Sequence, residues 1–240
     1  MEHEKRDLRR YPSAARGIMR FYLVYSGQLP SSGNSAKPAD VLRIRREISP
    51  QLRHLWDTHN SLQVLKRDAA RQHDKPLSQV RWHSDPRIME MMESPIPASN
   101  RDLAQAFPDE FDDLIAPMAV GEKSYTPLVR KSLNLACELN VLFLRQQDPG
   151  NVITQGGDLD GRMKTLLDAL RAPKLDEQQR NSPPEDELYC LLEDDALVSD
   201  LSIETDRLLF PETAKPHEVH LVIKVRLNVL QVGDHNVCLL

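Results

Sequence analysis

Val219-His220-Leu221-Val222-Ile223-Lys224-Val225-Arg226-Leu227-Asn228-Val229-Leu230 sets an apolar residue at every odd position, with His220, Lys224, Arg226 and Asn228 between them. Successive side chains of an extended chain point to opposite faces, so a period of two predicts a strand with one buried and one wetted face. The Val and Ile content suits a pleated, half-buried surface. A strand of this kind needs partners, and three segments offer them. Ser132–Arg145 ends in alternation, with Leu139, Val141 and Phe143 on one face. Val198–Asp206 sets Leu201, Ile203 and Thr205 opposite Asp200, Ser202, Glu204 and Asp206. Arg20–Tyr25 (RFYLVY) is β-prone and precedes a loop rich in Gly, Pro and Ser.

Between the strand segments the period lengthens. Ala39 to Arg71 carries Leu42, Ile44, Ile48, Leu52, Leu55 and Trp56 at helical spacing, and Pro50 predicts two helices or a kink there. Residues 72–123 hold several prolines and read as irregular connections, with short helices near Asn100–Phe107 and Pro108–Ile115. A helix is predicted from near Asp160 to near Pro173. Residues 172–193, including NSPPEDE, are polar and proline-bearing, which predicts an insertion at the surface. Residues 1–19 read as a flexible lead. Strands flanking one helix, with other helices segregated earlier, predict an α+β protein: a mixed sheet with flanking helices, in one domain over residues 1–240.

Composition narrows the class. No run approaches the roughly 18 apolar residues that span a bilayer, and MEHEKRDLRRYP has no apolar stretch behind its charges. Cys137, Cys190 and Cys238 are odd in number and far apart, which predicts reduced thiols without a zinc site, and a cytoplasmic protein. Net charge is −5. Residues 1–82 nevertheless hold 16 Lys and Arg against 8 Asp and Glu, so the remainder is strongly acidic. A basic N-terminal third can meet phosphates, with Arg43, Arg45, Arg46 and Arg53 as a basic helical face. A solvated helix face fits the same residues. No H-E-x-x-H is present, and Gly156-Gly157 is not followed by a phosphate-loop pattern.

The segment with the most chemistry is Gly156-Gly157-Asp158-Leu159-Asp160-Gly161-Arg162-Met163-Lys164-Thr165-Leu166-Leu167-Asp168-Ala169-Leu170. On a helix Asp160, Lys164 and Asp168 share one face, while Leu159, Met163, Leu166 and Leu170 form an apolar stripe on another. Asp158 and Asp160 enter that helix together, so both carboxylates can converge on one hard cation, with a third acid drawn from Glu193-Asp194-Asp195. The same residues also fit a helix cap and a plain ion-pair ladder.

D-L-D-x-x-x-K-x-x-x-D-A-L followed by D-D-x-x-V resembles the signature of the RusA family of Holliday-junction resolvases, over roughly residues 135–207. Pro30-Ser31-Ser32-Gly33-Asn34 is similar to the family's early P-S-x-N loop. The resemblance implies a RusA-like fold and a homodimeric, Mg²⁺-dependent endonuclease (Mn²⁺ as substitute) that cuts branched DNA. By resemblance, Asp158, Asp160 and Asp195 hold metal and Lys164 assists at the phosphate; Asp168 supports by orienting Lys164, and Asp200 supports from the following strand. Gly161 stands where the family has Asn, and the link from Leu170 to Asp194 is longer than the family's. A protein that keeps this fold for nucleic-acid binding or interaction without cleavage is the second expectation.

Overall fold

The computed structural model describes residues 19–31, 37–66, 115–121, 123–146, 159–174, 187–209, 218–232 and 236–240. Its architecture is mixed α+β, with two mixed sheets. Among the described residues no helix is long and apolar enough to cross a membrane.

The larger sheet is built around the period-two segments. In chain order they form β1 (Arg20–Gln28), β4 (Leu135–Arg145), β6 (Val198–Arg207) and β7 (Glu218–Val229). Their order across the sheet is β1-β7-β4-β6. β7 runs antiparallel to both neighbours, whereas β4 and β6 are parallel. The inward row of β7 (Val219, Leu221, Ile223, Val225 and Leu227) is buried, as is the matching row of β4, Leu139, Val141 and Phe143. Each fully buried Val, Leu or Ile contributes roughly 1.5–3 kcal/mol of transfer free energy, which makes this pair of rows the main anchor of the core. Met19 belongs to that core as well: its side chain is buried and its carbonyl accepts from the Leu227 N–H. The flexible lead predicted for 1–19 therefore stops short of Met19, and residues 1–18 lie outside the described residues.

The smaller sheet has order β2-β3-β5, from β2 (Met118–Val120), β3 (Lys123–Val129) and β5 (Leu188–Leu192). β2 and β3 pair antiparallel with Val120 opposite Lys123, and Gly121 between the strands takes φ 61, the left-handed conformation that tight hairpins demand. β5 joins β3 in parallel. Cys190, Leu191 and Leu192 are buried, so the end of the segment predicted as a surface insertion over 172–193 is instead a core strand. Its brevity and polar flanks hid it.

One helix, α1 (Lys37–Thr58), closes an edge of each sheet. On the β1 side, the Gln51 amide pairs with both backbone groups of Val24, at 2.9 and 2.7 Å. On the β5 side, Ser49 Oγ accepts from the Tyr189 N–H at 2.8 Å, and Arg53 donates to the Glu187 carbonyl at 2.8 Å. Ile44, Ile48, Leu52 and Trp56 are buried along the same helix. That packing carries α1 through Pro50, where the sequence predicted a break or kink. The interruption falls at His59, after which residues 60–66 are helical again. The short helices predicted near 100–107 and 108–115 lie outside the described residues, Ile115 excepted, which sits in a turn.

Candidate functional site

The second helix, α2 (Leu159–Leu170), is sunk into the molecule. Met163, Leu166, Ala169 and Leu170 are buried as the apolar stripe predicted, and Gly161, Arg162 and Thr165 are buried beside them. Thr165 Oγ1 donates back to the Gly161 carbonyl at 3.0 Å, a use of the hydroxyl common inside helices. What remains for solvent is a narrow face bearing Asp160 and Lys164, both exposed. Asp160 lies in the first turn, where the helix dipole favours a carboxylate. No ion pair joins it to Lys164 among the described residues. Asp158 lies outside the described residues.

Asp168 has a different partner from the one expected. Its carboxylate pairs with Arg171 at 3.0 Å, and both side chains are largely buried. Its backbone carbonyl accepts from Arg45 at 2.6 Å. Asp168 therefore ties the end of α2 to α1, which corrects the expectation that it orients Lys164. A buried guanidinium one helical turn away outcompetes an exposed ammonium for the carboxylate.

The Glu193-Asp194-Asp195 run forms a turn in which two of three acids serve the backbone. Glu193 Oε2 accepts from the Lys131 N–H at 2.8 Å. Asp194 caps the short 3-10 helix Asp195–Leu197, accepting from the Ala196 N–H at 2.9 Å. That hydrogen bond holds the Asp194 carboxyl below its ordinary value, helped by the Asp195 side chain and by the charges of Lys131 and Lys174, against the opposing effect of burial. Asp195 is exposed. It follows a strand whose Leu192 carbonyl accepts from Ala172, just past the end of α2. Asp160 sits near the other end of that helix, and the eleven helical residues from Asp160 to Leu170 span about 16 Å. Among the described residues, no group of three or more His, Cys, Asp and Glu side chains forms a place for a metal ion. Asp200 is exposed on β6 opposite Glu138 of β4. It lies on the row alternate to the inward Leu139, so it faces away from the side on which α1 and α2 pack.

The four arginines of α1 do not share one open face. Arg45 is 4% exposed, donates to the carbonyls of Asp168 and Arg171 and lies over the Tyr125 ring. Arg43 donates to Tyr25 Oη at 2.5 Å and to the Gln28 carbonyl at 2.6 Å. Arg53 lies over the Tyr189 ring. Arg46 is exposed. Arg45 thus leaves the predicted basic face, because its guanidinium satisfies carbonyls at the end of α2.

Arg145 and Arg162 are among the buried cations that went unread in the sequence. Arg145 ends β4 at 2% exposure, and Arg162 stands in the first turn of α2 at 6%. A signal for the first was present: Leu139, Val141, Phe143 and Arg145 follow one another at period two, which places Arg145 on the inward row. Compared with family models, curated proteins and solved structures, the chain matches none of them.

Proposed function

We propose that the chain is a RusA-like, metal-dependent endonuclease acting on branched DNA, and that it works in the cytoplasm as a homodimer. The observation that carries this reading is the open Asp160–Lys164 face on an otherwise encased helix, at the start of which the sequence sets a second aspartate. A surface acid and lysine held on a rigid element are free for a ligand, whereas Asp168, Glu193 and Asp194 are already engaged.

Asp158, Asp160 and Asp195 are the oxygen donors that would hold Mg²⁺ or Mn²⁺; carboxylate oxygens suit these hard ions. When bound, the metal would supply a water of lowered pKa and offset charge on a scissile phosphodiester. Lys164 would place its ammonium beside the phosphate, and the rigid setting of α2 would keep both groups oriented. Two such sites related by a two-fold axis suit a substrate with two strands to cut.

The test is cleavage of a labelled four-way junction beside linear duplex, in Mg²⁺ or EDTA, with the parent and Asp160→Asn chains. The expected result is metal-dependent cutting of the junction that is lost in the variant. Cutting by Asp160→Asn at the parent's rate would remove the proposed site. A second reading, nucleic-acid binding or interaction without cleavage on the same fold, draws on the separation of Asp160 from the Asp195 turn along α2 and on the acidic balance of the chain. Junction binding without cutting in any metal would select it.

A further inference from the structure

The face of the larger sheet away from α1 and α2 is sorted by charge. Strand register arranges it in rungs that run across β1, β7, β4 and β6. One rung is Arg20, Arg226, Glu138 and Asp200, and another is Val24, Val222, Leu142 and Glu204. Over the four rungs from Arg20 to Ser26, the β1–β7 half carries Arg20, Lys224 and Arg226 and no acid. The β4–β6 half carries Glu138, Asp200, Glu204 and Asp206 and no cation. Where the halves meet, Val222 and Leu142 lie side by side and half-buried. Tyr22 is 61% exposed and Val24 48%, so apolar surface reaches solvent beside the cations.

We propose that this face packs against the same face of a second copy of the chain, about a two-fold axis that runs along the strands. Two-fold symmetry allows two ways of stacking a sheet face to face on its own copy. An axis across the strands sets each strand over its counterpart, which brings the acids of β6 over one another. An axis along the strands sets β1 over β6 and β7 over β4. Arg20 of one copy then meets Asp200 of the other, and Val222 meets Leu142. Like charges across an interface disfavour the first arrangement, and opposite charges favour the second. Stacked sheets lie about 10 Å apart with their strands within about 30°, a gap that these long side chains can bridge. The nine residues of β1 span about 30 Å and four strands about 19 Å, so the pair would bury on the order of 1,000 Å², enough for a weak dimer. Because α1 and α2 pack on the other side, this pairing leaves Asp160 and Lys164 open in both copies. Of the nuclease reading the proposal takes up only the homodimer, to which it gives a surface.

The experiment is analytical sedimentation of the full chain in EDTA, from about 1 to about 100 µM, a range that brackets a weak dimer. The expected result is a dimer at the upper end that dissociates on dilution and shifts toward monomer in about 1 M sodium chloride. Arg20→Asp should raise the dissociation constant at least about tenfold, because a two-fold dimer holds the pair twice. Arg20→Asp combined with Asp200→Arg should return it to within about threefold of the parent, since the exchange rebuilds the pair with its signs swapped. Both positions are exposed, so neither change threatens folding. A parent that stays monomeric overturns the proposal, as does a dimer that is indifferent to Arg20→Asp or that the exchange fails to restore. Junction cutting in Mg²⁺ is scored on the same preparations. A dimer restored by the exchange that cuts no DNA keeps this face and removes the nuclease. A monomer that cuts keeps the nuclease and removes this face.

Discussion

β7 and β6 lie on either side of β4 and differ by only two residues in length, yet they live in different surroundings. β7 has a strand on each side, and its inward row joins α1 and α2 in one core. β6 ends the sheet: Leu201, which continues the inward row of β4, is 38% exposed, and only Val198 and Ile203 of that strand pack against the core. Alternation thus decides which residues share a face, and the position of the strand in the sheet decides whether that face is covered.

The comparison can be broken at β4, the strand between them. The Cys137 thiol is pushed up to about 12, chiefly by burial and then by the Glu138 charge. Since the thiolate is the reactive form, labelling of Cys137 at pH 8 should run on the order of a thousandfold slower than that of an unhindered thiol. Mass spectrometry of the alkylated peptide checks it, and rapid labelling would mean that the β6 side of β4 opens readily. Ile223→Ala on β7 should cost about 2–5 kcal/mol in urea unfolding. A loss below about 1 kcal/mol would place β7 outside the cooperative core.

The turn leading into β6 tests a smaller effect. Asp194→Ala should cost about 1 kcal/mol by removing the cap. Because the folded Asp194 pKa lies below its unfolded value, its contribution is present above about pH 4 and is lost as pH falls through the folded value. Denaturation curves of parent and variant should therefore converge in acid. Smallest of all, Leu201→Ala should stay within about 0.5 kcal/mol of the parent. A loss as large as that of Ile223→Ala would show that something covers β6 in solution.

The strands with long alternation and the helix after Asp160 were legible because their periods are local properties of the chain. β3 and β5 were not. Pro127 interrupts the pattern of one, and the other is five residues long among polar neighbours, so parallel pairing between distant segments defines both. Pro50 misled for the opposite reason: its local cost is outweighed by the buried row from Ile44 to Trp56. At the candidate site, the shared face of Asp160 and Lys164 follows from helix geometry alone. The attachment of Asp168 to Arg171, and the inward course of Arg45, depend on what the end of α2 packs against. Arginine is so seldom buried that composition gives no hint of it.

The placement of α1 also governs how copies of this chain can meet. Gln51 presents to β1 the same donor and acceptor that a neighbouring peptide would, so the backbone there is already answered. Ser49 and Arg53 do the same for β5. A sheet with both borders free can recruit strand after strand and grow into a fibre. With part of the β1 border answered by its own helix, the larger sheet leaves β6 as its longer free border among the described residues, and β6 carries Asp200, Glu204 and Asp206. The acidic row on β6 raises the barrier to strand addition along that border.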